Sequence, residues 1–565
     1  MPDPAGQETV WEAAAMPAVA AGLEAAGFPA WKAACLARRG VTDAAEAAAF
    51  LAPSSDQLSA PEALPGIAAA AERLAAAAEA GAGVAIVGDY DVDGVSATAQ
   101  LAAVLEICGA EVLTILPHRM AEGYGFHTAH VEQARESGCS VLLTADCGSS
   151  ASEPAVAALE AGLDLIVTDH HLTTIDLPQG VIEVNPRRAS GPPGSEDLCA
   201  AGVAFKLAEA VLARRGRPVR REALLRVACL GTIADMVPLR GENRIIAAAG
   251  LAALPGTPSP GLRALMARSR VRPPLRSSDI GFRIGPRINA AGRMGDADPA
   301  LELLLTRDPL RAEQLADELE ERNRVRREAQ TLVEDEAREL FADRPELPPI
   351  LVAWAERWHR GVVGIAAGRL ARELNRPTIL LNLEEDSASG SGRSIPGIEL
   401  FDFLRPWSAR LRRFGGHAQA IGLTVDAGEL ETLRSEWESE AARWPAELLR
   451  RRVEYELDLA PAEVTVELAL ELEALGPFGV GNPAPVAHLG PLRLCAAPRR
   501  FGQGHLDLRA VAPAGDEAAL LGWSWEEREE VFEEPFEVLG VPIWDRYRNR
   551  PALRLSDARR IARPA

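Results

Sequence analysis

Val84-Ala-Ile-Val-Gly-Asp-Tyr-Asp-Val-Asp-Gly94 joins a short apolar run to three aspartates at spacing two. Residues 84–87 read as a buried strand, and the turn after it places Asp89, Asp91 and Asp93 at its carboxyl end. Runs of the same kind recur at 111–116, 141–144 and 163–168, the last two leading into Asp146 and into Asp169-His170-His171. Strands separated by helix-length segments predict an α/β fold with a doubly wound parallel sheet. Ligands in such sheets bind beyond the carboxyl ends of the strands, where three of these four runs end in Asp or Asp-His-His.

Three closely spaced carboxylates suit a hard divalent cation. An EF-hand loop is the rival pattern, but Gln100 stands where its bidentate Glu belongs, and a strand rather than a helix enters the loop. Asp146, His170 and His171 add donors from other strand ends. Asp235, in Leu230-Gly-Thr-Ile-Ala-Asp-Met-Val-Pro-Leu239, is a further candidate, with a helix cap as its plainer role. Carboxylates with one or two imidazoles favour Mn²⁺ or Mg²⁺ over a thiolate-seeking metal, and the donors suffice for two ions. Two ions suit phosphodiester or pyrophosphate hydrolysis.

The 565 residues carry 60 Lys+Arg against 81 Asp+Glu, a net charge of −21. That length predicts about three or four domains. Hydrophobic content of 47% excludes general disorder. No apolar run approaches about 18 residues, so no membrane span is expected. The start, Met1-Pro2-Asp3-Pro4, lacks the basic and apolar regions of a secretory signal, and the seven cysteines never form C-x-x-C, so a cytoplasmic protein with reduced thiols is expected. Its two lysines, Lys32 and Lys206, follow no glycine-rich loop, which excludes a P-loop nucleotidase.

The acidity argues against indiscriminate nucleic-acid binding. Locally the balance reverses: residues 261–293 hold eight arginines, including Arg287 and Arg293, and one acid, Asp279. Such an element fits a groove that tracks phosphates, with a solvated loop as the plainer alternative. Ser391-Gly392-Arg393 and Gly415-Gly-His417 read as further glycine-flanked anion sites, with a flexible turn at Ser389-Gly390 as the plainer alternative. Tyr124, between two glycines, is a candidate for stacking on a base or for burial in a turn. The expected organisation is a helical segment over 1–75, a catalytic domain over 76–305, a connecting helix over 306–345 ending at Pro345, a smaller α/β domain over 346–448, and an OB-like β-barrel over 449–565.

The ordered set GDYDVDG, TADCG, VTDHH and GTIADMVPL resembles the four motifs of the DHH phosphoesterase superfamily. Pro117-His-Arg119, Glu122-Gly-Tyr-Gly125, Gly285-Pro-Arg-Ile-Asn-Ala-Ala-Gly-Arg293, Trp358-His-Arg-Gly361, Ser391-Gly-Arg393, Phe414-Gly-Gly-His417 and Gly476-Pro-Phe-Gly479 are similar to pieces of the RecJ single-strand exonucleases within it. The resemblance implies a DHH domain followed by a DHHA1-type domain. It implies metal ligands at Asp89, Asp91, Asp93, Asp146, His170 and Asp235, with His171 facing the scissile phosphate and Asp93 and Asp146 sharing the catalytic work. It places nucleic acid and its 5′-phosphate at Arg119, Tyr124, Arg287, Asn289, Arg293, Ser391, Gly392, Arg393 and His417. The implied activity is 5′→3′ degradation of single-stranded DNA to mononucleotides in recombination and repair. A monomer is expected, with single-strand-binding protein and a helicase as implied partners. The competing readings are a phosphodiesterase for oligonucleotides or cyclic dinucleotides, and a catalytically inactive DNA-binding scaffold.

Overall fold

The computed structural model describes residues 9–561 apart from 120, 189, 343, 345 and 534. Met1-Pro2-Asp3-Pro4 and the expected helix stop at Pro345 lie outside the described residues. The chain divides into two compact units, one formed by Arg39–Arg324 with Ala474–Ala484, the other by Met1–Arg38, Val325–Glu473 and Pro485–Ala565.

The first unit is built on five parallel strands, β1 (Gly83–Gly88), β2 (Glu111–Ile115), β3 (Cys139–Ala145), β4 (Asp164–Thr168) and β5 (Ile182–Val184), in the order β2-β1-β3-β4-β5. Alternate residues bury on opposite faces. Val84 and Ile86 pack with Leu101 and Phe205, while Ala85 and Val87 pack with Phe126 and Leu142. A sheet covered on both faces has strands that read as unbroken Val/Ile/Leu runs, which is why they were legible. Chain order and strand order part between β1 and β3, the switch point at which doubly wound sheets hold ligands. Gly88 pairs with Ala145, and Ala145 with Thr168, so the next residues, Asp89, Asp146 and Asp169, emerge side by side.

Helices α1 (Val92–Cys108), α2 (Ala200–Arg214), α3 (Arg221–Ala234) and α4 (Gly285–Met294) complete what positions the site. Helix Ile67–Glu79 buries Ile67, Ala70 and Leu74 in the same core, so the sheet's packing begins before residue 76. The 1–75 segment, expected to be helical, carries helices Ala20–Ala25, Ala30–Arg38 and Ala44–Leu51 ahead of Ile67–Glu79, with one departure. Its described part opens on a strand, Val10–Ala13, paired in parallel with Arg452–Tyr455. The Trp11 indole donates to Asp557 Oδ2 at 2.9 Å. A partner so distant in the chain leaves no local pattern. The long helix is α5 (Pro309–Ala342), and the division between the two units falls within it.

In the second unit a mixed sheet runs β9-β10-β8-β7-β6, formed by β6 (Leu351–Ala355), β7 (Thr378–Leu383), β8 (Ser387–Arg393), β9 (Leu411–His417) and β10 (Ala420–Asp426), with α6 (Arg360–Leu374) packed on β7 and β8. Five later strands, Ala487–Leu494, His505–Val511, Glu517–Gly522, Phe536–Asp545 and Arg550–Arg560, close a barrel. Its first strand pairs with both the fourth and the second, and its third pairs in parallel with the fifth. That is the closed five-stranded topology of an OB-fold. No single described helix is long and apolar enough to cross a membrane.

Candidate active site

The turn after β1 is made by its own aspartates. Asp91 caps α1, its Oδ1 accepting from the Asp93 and Gly94 amides at 2.9 and 3.1 Å. A Cβ on Gly94 would lie 2.6 Å from the Asp89 backbone, so only glycine lets the strand turn into the helix this tightly. Asp93, on the first turn of α1, is buried and accepts from the first two amides of α2, Ala200 at 2.7 Å and Ala201 at 2.9 Å. Gly231 of α3 lies against it: a Cβ there would fall 2.3 Å from Asp93 Oδ1. This close approach brings Asp235, at the C-cap of α3, to the same place.

Four donors converge. His170 Nε2 lies 3.1 Å from Asp146 Oδ1, 3.6 Å from Asp235 Oδ2 and 3.7 Å from Asp93 Oδ2. Asp93, His170 and Asp235 form one compact group of donors, and Asp89, Asp91 and Asp146 form another with no member in common. Burial and the Asp91 charge push Asp89 well above the usual carboxylate range, and burial with the Asp93 charge does the same to Asp146. Burial and Asp91 raise Asp93 to about 6, and burial and Asp93 raise Asp235 to about 9. Burial and the adjacent His171 push His170 down to about 3, so its ring is neutral. A neutral imidazole beside crowded carboxylates is the state in which a divalent cation is bound, because the cation removes the repulsion. Asp89 Oδ1, Asp146 Oδ1 and both His170 nitrogens are buried without a hydrogen bond, as groups reserved for a ligand are. The residues fit two hard cations.

His171 is held from behind. Its Nδ1 lies 2.8 Å from Asp169 Oδ1, and that carboxylate also accepts from the His170, His171 and Ser149 amides. Burial lowers the His171 pKa, but the hydrogen bond and charge of Asp169 outweigh it and the net shift is upward. Asn185, just after β5, donates to Ser149 Oγ at 2.9 Å and to the His171 carbonyl at 3.0 Å. The orienting roles of Asp169 and Asn185 escaped the sequence reading. Asp169 was in view within its motif, and Asn185 follows a strand too short to recognise.

A cavity of about 300 Å³ opens on this cluster. Asp89, Asp91, Asp146, Asp235 and His171 line it, joined by Arg119, Tyr124, Asn289 and Arg293. Arg119 lies over the Tyr90 ring, 4.8 Å from its centroid. Asn289 accepts from the Val92 amide at 3.2 Å, tying α4 to α1. The Tyr124 hydroxyl donates to the Asp146 carbonyl at 2.9 Å and lies 3.1 Å from His171 Nδ1, leaving the ring half-exposed.

Arg287 is not on the cavity. Its guanidinium pairs with Glu320 of α5 at 2.5 Å and donates to the Arg268 carbonyl. Arg268 in turn pairs with Asp317 and Glu313. Much of the local basicity is thus neutralised by acids of α5. In the second unit, Ser391, Gly392 and Arg393 lie at the end of β8, and His417 is exposed at the end of the edge strand β9. A Cβ on Gly364 of α6 would lie 3.1 Å from both Ser391 Oγ and an Arg393 nitrogen, so these side chains meet the first turns of that helix.

A switch-point cluster of aspartates and a neutral histidine, with an Asp-oriented histidine at its mouth, defines a phosphoesterase of the DHH class, and residues 83–232 match the DHH family, N-terminal domain. Residues 347–443 match the DHHA1 domain and 455–557 the RecJ OB domain. The chain is 36% identical over 454 residues to the single-stranded-DNA-specific exonuclease RecJ of Bacillus subtilis, covering 80% of this chain and 57% of that one. Against the Dickeya dadantii protein of the same name it is 36% identical over 482 residues, 81% of this chain and 83% of the relative. The crystal structure of RecJ with Mn²⁺ from Thermus thermophilus superposes with a TM-score of 0.83 at 30% identity, covering 98% of this chain and 80% of that one. The chain belongs to the RecJ family of single-stranded-DNA-specific exonucleases.

Proposed function

We propose that this chain is a 5′→3′ exonuclease that degrades single-stranded DNA to mononucleotides in recombination and repair, using Mn²⁺ or Mg²⁺. The observation that carries the reading is the pair of disjoint three-donor groups opening on one cavity beside His171. Bound there, two ions supply neutralisation of the phosphoryl oxygens and acidification of the attacking water. The chain's own residues do the rest. Asp89, Asp91 and Asp146 would hold one ion, and Asp93, His170 and Asp235 the other. His171, its Nδ1 committed to Asp169, turns Nε2 toward the scissile phosphate and offers a proton to charge developing on oxygen. Arg119 and Arg293 line the cavity with positive charge for flanking phosphates.

The 5′-phosphate is assigned to Ser391, Gly392 and Arg393, with His417 nearby in the chain's order of motifs. The barrel contributes length-dependent affinity. Phe501 and Trp523 lie edge-to-face at 6.3 Å, Arg548 lies over both Phe501 and Tyr547, and Trp523 and Tyr547 are exposed. Exposed rings interleaved with arginine suit the stacking of unpaired bases. A cytoplasmic monomer working with single-strand-binding protein and a helicase completes the proposal.

The test is digestion of labelled oligonucleotides carrying a 5′-phosphate or a 5′-hydroxyl, with and without Mn²⁺, by wild type and Arg393→Ala. Metal-dependent release of mononucleotides from the 5′ end is expected, favouring the phosphate about tenfold or more, with that preference lost in Arg393→Ala. Duplex cleavage, or release from the 3′ end, defeats the reading.

A further inference from the structure

The segment between β2 and helix Thr128–Glu136 delivers Arg119 and Tyr124 to the cavity; Leu116 and Phe126 pack into the core at its two ends, while Ala121, Glu122 and Tyr124 between them are exposed. Tyr124 lies between Gly123 (φ 87°) and Gly125 (φ 109°), and a Cβ on either glycine would meet nothing within 4 Å. Core packing thus fixes the segment at Phe126 but not between residues 121 and 125. A further fixed point is polar. Glu122 Oε1 accepts from the His118 amide at 3.1 Å, and Glu122 Oε2 lies 3.2 Å from His130 Nε2. His130 is buried on its helix and its Nδ1 accepts from the His127 amide, which leaves the proton on Nε2 to be donated to Glu122. One carboxylate thus clips the start of the segment, next to Arg119, to the helix that follows it.

We propose that Glu122 and His130 form a latch that positions Arg119 and Tyr124, and through the Tyr124 hydroxyl positions Asp146 and His171. The role rests on the exonuclease reading above. Tyr124 donates to the carbonyl of Asp146, whose backbone is in the left-handed region at φ 71°, and it lies against His171 Nδ1. An aspartate held there tolerates little displacement without moving its carboxylate. Holding the exposed middle of the segment in one conformation before substrate arrives removes an entropic penalty from binding. Glu122 and His130 touch neither substrate nor donor cluster, so they are positioning residues.

The experiment uses the full chain with Mn²⁺ and a 5′-phosphorylated oligonucleotide. Because His130 is buried, Glu122 is the residue to change. Glu122→Ala is expected to lower kcat/KM about tenfold, chiefly through KM. Glu122→Gln keeps one acceptor oxygen, which serves His118 or His130 but not both, and is expected to restore only part of that loss. Tyr124→Phe is expected to lower kcat with KM nearly unchanged. Amide exchange over residues 117–127, measured without substrate, is expected to quicken in Glu122→Ala and by less in Glu122→Gln. Wild-type kcat/KM in Glu122→Ala, or amide exchange that does not quicken in it, overturns the latch. Absence of nuclease activity in the wild type defeats the exonuclease reading instead, and the exchange measurement then still decides whether the segment is clipped.

Discussion

His170 Nε2 lies 3.1 Å from Asp146 Oδ1, and neither atom makes a hydrogen bond. The two residues come from the two disjoint donor groups and also meet, with His171, in a third, so Asp146 stands where both cation positions are felt. Asp146→Asn is therefore expected to abolish hydrolysis at saturating Mn²⁺ while the metal-free protein keeps or raises its Tm. Asparagine is the substitution of choice because it tolerates the left-handed backbone that Asp146 occupies. Asp91→Ala is a poorer probe, since it also deletes the α1 cap and costs about 1 kcal/mol of stability. Near-wild-type turnover in Asp146→Asn counts against the metal assignment.

The carboxylate shifts set a pH dependence. Asp93 at about 6 and Asp235 at about 9 are raised above the ordinary value of about 4. A raised carboxylate stabilises the fold fully below about pH 4, and that contribution is lost as pH climbs through each folded value. The Tm of metal-free protein should accordingly fall between about pH 5 and pH 9. Mn²⁺ should raise Tm more at the upper end, where it need not displace protons. A metal-induced gain in Tm that is flat with pH, measured by scanning calorimetry, contradicts this account.

Asp169 touches His171 from the side away from the cavity, so Asp169→Asn changes the charge behind the ring without altering its shape. Loss of that charge lowers the His171 pKa, and the alkaline limb of the kcat profile should move to lower pH. A fall in kcat of about 100-fold is expected, within the range for a mispositioned general acid. If the limb stays in place while kcat falls, His171 is not the group that titrates.

For the barrel, replacing Trp523 and Tyr547 together by alanine should weaken binding of a 40-nucleotide strand by about tenfold or more, from about 1–3 kcal/mol per stacked base. Cleavage of a trinucleotide should be unchanged. Equal losses on both substrates would place the two rings in the folding of the unit rather than in DNA binding.

What was legible in the sequence follows from burial. Strands covered on both faces were visible as apolar runs, and aspartates at their ends stood out because charge is costly beside such runs. β5 was not visible, having three residues, although it supports Asp169 through the Val184 carbonyl. In the basic stretch 261–293, Arg293 lines the cavity while part of the charge is taken up elsewhere. Glu313, Asp317 and Glu320 neutralise Arg268 and Arg287 from a helix that a local charge count does not reach. Tyr124 was read as a base-stacking or turn residue, and only the folded chain brings its hydroxyl to Asp146.

Asp93 serves the fold and the proposed cation site with one carboxylate. Its oxygens receive the first two amides of α2 and also face His170. A gene copy released from selection for catalysis could lose Asp146 or Asp235 and keep its shape, but replacing Asp93 would uncap a 15-residue helix that is buried along most of its length. Activity and architecture therefore erode at different rates across this cluster. Asp93 is the ligand that a decaying lineage would surrender last, and its presence alone is weak testimony that such a copy still cuts DNA.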